Sequence, residues 1–269
     1  MTSSEKHLQP GQSRWDYNVQ RYKSDRDVFY EDDVFSVLVI AYNRPDITRR
    51  CVLSTLDCTD RYPGEVEWIF VENANNEENY QFFQELDIDR KVVVRQKNYG
   101  INQALNQAWA LSRGEWCLIH ENDWECCMVL DYLSIIRDIM RQHTEIGMVQ
   151  LRDPFDPSEN HGLGKPEYSP WSCDRKKLDA AGIKMWQETT ENGHAYLLSE
   201  FPNGFNNNPI VIRKNLYRTC GPYPEPEVGS DPRHGETEYQ RRVEKEGYAT
   251  AHIALPLYKH IGRVQTHAQ

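Results

Sequence analysis

The chain has 269 residues, 39% hydrophobic and 27% charged, enough to bury the core of one large α/β domain or two small ones. Its net charge of −10 argues against a nonspecific nucleic-acid binder, whose footprint is basic. No run approaches the roughly 20 apolar residues that span a bilayer, and a polar N-terminus together with seven cysteines lacking zinc-type spacing predicts a cytoplasmic protein with reduced thiols.

Residues 1–33 carry charges and isolated aromatics (Trp15, Tyr17, Tyr22) without periodicity, and read as an N-terminal extension. Regularity begins at "VFSVLVIAYN" (34–43), a β-branched run expected of a strand buried on both faces. "RPDITRRCVLSTLDC" then predicts a helix, with Pro45 in its first turn and Ile47, Cys51, Leu53 and Leu56 towards the core. Strands at 65–73, 91–96 and 115–122 alternate with helices at 76–86 and 101–112. That alternation implies βαβ units and a parallel sheet with right-handed crossovers.

Such sheets bind ligands beyond the carboxyl ends of their strands. Three strand ends therefore converge: Tyr42-Asn43, Glu72-Asn73 and Glu121-Asn122-Asp123. The last stands out, because acids closing an apolar strand are costly to desolvate unless they face water or a cation. A helix at 130–143 follows, and then the chain becomes rich in Pro, Gly, Asn and aromatics up to about residue 204, as binding walls and lids are. "NPIVIRKNLYRTCG" (208–221) predicts a strand and short helix, "GETEYQRRVEKEGY" (235–248) a helix, and "YATAHIALPLYKHIG" a strand with a histidine-bearing tail.

The stretches "SVLVIAYNRPDITRRCVLSTL", "IFVENANNEEN", "NYGINQALNQAWALSRGEWCLIHEND", "NPIVIRKNLYRTCGPY", "GETEYQRRVEKEGY" and "HIGRVQTH" come in an order and spacing that resemble the family 2 glycosyltransferases. The resemblance runs from about Val34 to Gln269. It implies a GT-A fold: a Rossmann-like nucleotide-binding half (34–125) with a mostly parallel central sheet, merged with an acceptor-binding half and C-terminal flap (126–269). It also implies inverting transfer of a sugar from a nucleotide-diphosphate donor, UDP first among the candidates, assisted by Mn²⁺ or Mg²⁺. The acceptor stays open among a saccharide, a protein, a metabolite and a modified nucleobase.

By the same resemblance, Asp123 is the principal metal ligand and Glu121, flanked by Asn122, faces the ribose or a metal-bound water. Glu stands where the family usually has its first Asp. Glu72, assisted by Asn73, accepts the imino N–H of the base, or is a turn carboxylate. Tyr42 stacks on the base beside the backbone of Ala41 and Asn43, or is a buried strand-end aromatic. Asn98, Gly100 and Asn106 divide between local structure and contacts with ribose or donor sugar. Glu236 takes the general-base position, with Glu238 as the second choice. His260 reaches the metal or the diphosphate, in a basic tail with Lys259, Arg263 and His267. Trp171 and Asn206 to Asn208 are candidates for the acceptor pocket.

Two other classes compete. A sugar-nucleotide nucleotidyltransferase needs a glycine-rich phosphate loop after the first strand, and "AYNRPD" has none. A non-catalytic binding module of the same fold would hold Glu236 far from Asp123.

Overall fold

The computed structural model describes residues 31–152, 185–199, 209–224, 233–253 and 255–262. The first βαβ series is β1 (Glu31–Ala41), α1 (Pro45–Thr59), β2 (Val66–Glu72), α2 (Glu77–Glu85), β3 (Lys91–Arg95), α3 (Ile101–Leu111) and β4 (Gly114–Glu121). Then come β5 (Trp124–Cys126), α4 (Tyr132–Gln142), β6 (Ile146–Gln150), β7 (Met185–Thr189), β8 (Ala195–Ser199), β9 (Ile210–Arg213), α5 (Lys214–Cys220), α6 (Arg233–Lys245), β10 (Ala249–Ile253) and β11 (Tyr258–His260).

Nine strands form one sheet in the order β3-β2-β1-β4-β9-β6-β10-β8-β7. From β3 to β4 every pairing is parallel, as the βαβ alternation requires. β9 then enters antiparallel between β4 and β6 and joins the two halves into one sheet. β10 runs parallel to β6, and β7 and β8 add an antiparallel hairpin at the far edge. That hairpin lies in the segment expected to be irregular.

β1 is buried on both faces, which its continuous β-branched run predicts. Val37 and Val39 enter a cluster with Phe70, Phe83 and Trp116, while Leu38 and Ile40 enter the opposite one with Val71, Leu105 and Trp109. Each such side chain contributes about 1.5–3 kcal/mol by leaving water. The strand begins at Glu31, three residues before the expected start, and Arg90 holds Glu31 by an ion pair at 2.9 Å. Residues 1–30 of the extension lie outside the described residues.

Helix α1 corrects one expected face. Ile47, Cys51, Thr55 and Cys58 point inward, but Leu53 is 45% exposed, because two residues on from Cys51 is a turn of about 200°. Lys214, at the start of α5, is buried with its ammonium on the carbonyl of Ser112 (2.9 Å), its hydroxyl (2.6 Å) and the carbonyl of Trp109. A cation there completes the carbonyl end of α3 and complements its dipole, fastening the helix that borders the cleft described next.

Candidate active site

Cα register places the strand ends side by side: Ala41 opposite Glu72, Ile40 opposite Glu121, and Glu72 opposite Arg95. Beyond them opens a cleft of about 320 Å³, lined by Tyr42 and Arg44 after β1, Asn73 after β2, Asn98 and Gly100 after β3, and Glu121, Asn122 and Asp123 after β4. The convergence expected from topology is therefore present in the side chains. Tyr42 is 46% exposed on the rim, so it is not the buried strand-end aromatic.

Asp123 is the electrostatic centre. Its Oδ2 lies 3.2 Å from Arg44 Nη1 and 3.3 Å from His260 Nε2. Burial works against the ionised carboxylate, but the hydrogen bond and charge of His260, with Arg44 behind them, hold it below the ordinary carboxylate range. His260 arrives on β11, which pairs antiparallel with β5 and sets His260 opposite Trp124. The two rings stack at 4.9 Å, and Ile261 N–H donates to Asp123 O at 2.9 Å. A Cβ on Gly262 would fall 2.4 Å from Asp123 Oδ2; only glycine allows the chain so close.

Asp123 Oδ1 is buried and has no hydrogen-bond partner among the described residues. A carboxylate oxygen left open beside an imidazole fits a divalent ion that draws its other ligands from water and phosphate oxygens. No group of three or more His, Cys, Asp or Glu able to hold a metal occurs among the described residues. Glu121 differs in kind. Burial, followed by the charges of Asp123 and Glu236, pushes its carboxyl up to about 8. Near neutral pH it therefore offers the cleft a hydrogen-bond donor as well as acceptors.

The same electrostatics locate Glu236, whose charge raises both Glu121 and the buried Tyr223. Glu236 stands in the first turn of α6, partly exposed. Two asparagines of α3 one turn apart hold the segment that follows α5, on which α6 packs. Asn106 accepts from Tyr223 N–H (2.8 Å) and donates to Tyr223 O (2.9 Å), and Asn102 donates to Pro224 O (2.9 Å). Tyr223 stacks on Tyr239 of α6 at 4.3 Å. Gly235 packs on Asn102 so closely that a Cβ there would lie 1.9 Å from its Nδ2. Glu238 instead pairs with Arg242 at 3.4 Å along the helix.

Three residues expected to contact ligand are engaged within the protein. Glu72 is fully buried: Ala74 N–H (3.2 Å) and Asn76 N–H (2.7 Å) donate to its carboxylate, which builds the 73–76 turn instead of lining the cleft. Burial raises its pKa against those bonds. Asn106 is spent on Tyr223, as above. Ala41 is buried and its carbonyl accepts from Asn73 N–H at 2.8 Å. Asn73 and Asn98 do reach the cleft, but in fixed orientation. Gln96 donates to Asn73 Oδ1 at 2.9 Å, and Gly100 N–H donates to Asn98 Oδ1 at 2.9 Å.

Arg44 is the residue the sequence reading did not assign. Its signal was available: a cation at the end of a strand whose neighbours end in acids. Asn43 and Arg44 both have φ 53, a left-handed conformation that costs of order 1–3 kcal/mol for a non-glycine residue and persists only where the surroundings fix it. Here Asn79 and Asn122 each donate to Asn43 O at 3.1 Å. Trp171, Asn206 to Asn208, Arg263 and His267 lie outside the described residues, whereas Lys259 is exposed on β11 beside a second cleft of about 430 Å³ that includes Arg50, Glu125 and His260.

The family model described as Glycosyl transferase family 2 matches residues 36–161. No curated protein matches the chain. Among solved structures, the chain is similar to the mannosyltransferase PcManGT from Pyrobaculum calidifontis in complex with GDP-Man and Mn²⁺, with a TM-score of 0.58 and 16% identity over 94% of this chain and 65% of that one. It is also similar to S. aureus TarS 1–349 in complex with UDP-GlcNAc, with a TM-score of 0.54 and 13% identity over 83% of this chain and 57% of that one. The chain thus spans under two thirds of the length of either. At these identities the likeness establishes the fold, the expected GT-A architecture.

Proposed function

With residues 36–161 matching Glycosyl transferase family 2, we propose that the protein is a metal-dependent inverting glycosyltransferase that moves a sugar from a nucleotide-diphosphate donor to an acceptor hydroxyl. The observation that carries the reading is the meeting of Asp123 and His260 at 3.3 Å beside a cleft bordered by Glu121, within the electrostatic reach of Glu236.

Asp123 and His260 are the residues that would hold Mn²⁺ or Mg²⁺. A divalent ion there supplies Lewis-acid stabilisation of the departing diphosphate. The protein's own residues do the rest. Tyr42, Asn73 and Asn98 border the cleft on the β1, β2 and β3 side and receive base and ribose. Glu121 hydrogen-bonds the ribose or a bound water. Glu236 takes the proton of the acceptor hydroxyl as its oxygen attacks the anomeric carbon from the face opposite the leaving diphosphate. It stands in the first turn of α6, where the helix holds it in place. The glycine-rich phosphate loop that a nucleotidyltransferase needs is absent from "AYNRPD", which has no glycine.

UDP stays first among the candidate donors, with GDP beside it. The neighbours cited carry one of each kind, GDP-Man and UDP-GlcNAc. The test is a thermal-shift panel of UDP, GDP, dTDP and CMP sugars with and without Mn²⁺. Binding to the native state raises stability by about 2.7 kcal/mol at a hundredfold excess over Kd. A shift for a nucleotide-diphosphate sugar that needs Mn²⁺ is expected, and no shift with any member of the panel would overturn the proposal.

A further inference from the structure

Arg44 has no role in the reading above, yet the fold goes to some length to place it. Two consecutive left-handed residues, Asn43 and Arg44 (both φ 53), turn the chain between β1 and α1. Side chains from two other elements pin that turn, Asn79 from α2 and Asn122 after β4, each donating to Asn43 O at 3.1 Å. Thr48 N–H donates to Arg44 O at 2.9 Å. Strain held in place from several sides marks a position whose side chain is needed where it is.

The result is a guanidinium on the wall of the cleft, 3.2 Å from Asp123 Oδ2 and 38% exposed. Of the described residues lining that cleft, Arg44 is the cation, against the two acids Glu121 and Asp123. A diphosphate brings further negative charge. The Asp123 carboxylate and a diphosphate repel each other unless cations intervene, and a planar guanidinium is suited to paired phosphate oxygens.

We propose that Arg44 is the diphosphate-binding residue of the donor site, and that it exchanges Asp123 for the diphosphate when metal and nucleotide bind. This rests on the glycosyltransferase reading. Arg44 then has two successive partners. In the empty cleft it neutralises Asp123 and competes with a metal ion for it. In the loaded cleft the metal neutralises Asp123, and Arg44 turns to the phosphates from a backbone that need not move.

The pairing makes opposite predictions for two ligands, and calorimetry on the full chain separates them. Arg44→Gln should bind Mn²⁺ alone severalfold more tightly, because a competing cation is gone. The same variant should bind UDP or GDP, in saturating Mn²⁺, about ten- to a hundredfold more weakly, the usual effect of losing a charge-assisted hydrogen bond. Affinity for the parent nucleoside should be unchanged. Arg44→Lys, which keeps the charge but not the fork, should fall between. Circular dichroism on both variants establishes that they fold, and if Arg44→Gln does not, Arg44→Lys alone must show the weaker nucleotide binding. Unchanged diphosphate affinity overturns the proposal and leaves the donor reading standing. Equal losses for nucleoside and diphosphate overturn it too, since Arg44 would then be shaping the cleft only. Failure of the wild-type protein to bind either diphosphate in Mn²⁺ overturns the donor reading and the assignment with it.

Discussion

His260 Nε2 stands 3.3 Å from Asp123 Oδ2, on a three-residue strand that pairs with the three residues following the acid. The contact joins the last described segment of the chain to the end of its central strand. It makes the surroundings of Asp123 depend on that segment being in place.

Asp123→Asn should abolish the Mn²⁺-dependent part of the thermal shift with a nucleotide diphosphate. The variant keeps size and hydrogen bonding but loses the charge that Arg44 and His260 balance. Its unliganded melting temperature, measured alongside, should show that it folds. A shift that keeps its dependence on Mn²⁺ would remove Asp123 from the metal site.

Glu236→Gln should lower transfer by roughly 10²–10⁴-fold, the usual contribution of a general base, while donor affinity stays near that of the wild type. Glu238→Gln should matter little, because Glu238 is engaged along the helix with Arg242 and lies about 200° around from Glu236. Single-turnover assays with both variants rank the two acids. The reverse ranking would move the base by two residues.

Gly235→Ala tests how Glu236 is placed. Alanine favours the helix by about 0.5–1 kcal/mol, but the added Cβ would lie 1.9 Å from Asn102 Nδ2, and overpacking costs typically 1–3 kcal/mol. The clash should win: stability drops, and transfer drops further because α6 shifts at its first turn. Adding Asn102→Ala should recover part of the stability. Additive losses in the double variant, determined by denaturant titration, would mean that the two residues do not touch.

His120 sets an acid limit on stability. It is fully buried on β4 with Nε2 3.1 Å from Thr55 Oγ1, and burial lowers its pKa to about 4, against about 6.5 in an unfolded chain. Between those values the unfolded chain binds a proton that the native protein refuses. Stability therefore falls as pH drops from about 6.5 to 4, by about 3 kcal/mol from this group. The stability difference between wild type and His120→Gln should shrink across that window. A difference independent of pH would show that His120 is not held neutral.

The strand–helix alternation from Val34 to Asp123 was legible because apolar periodicity and helix-starting residues such as Pro45 are local properties. Given that alternation, the crossover rule alone sends strand ends 42, 72 and 122 to one edge, and the cleft follows. The sequence also reveals which acids close those strands. It does not reveal which way a carboxylate turns. Glu72 and Glu121 both end central strands, yet Glu72 folds back onto the N–H groups of its own turn while Glu121 lines the cleft. That choice belongs to the loop geometry. The antiparallel insertion of β9 and the pairing of β11 with β5 were equally hidden, since they join segments far apart in the chain and leave no periodic trace. These pairings bring His260 to Asp123, and the close packing of Gly235 on Asn102 sets the first turn of α6 against α3. Arg44 stood in the sequence as a cation beside strand ends that close in acids, but its direction is set by a left-handed backbone that only the surrounding hydrogen bonds impose.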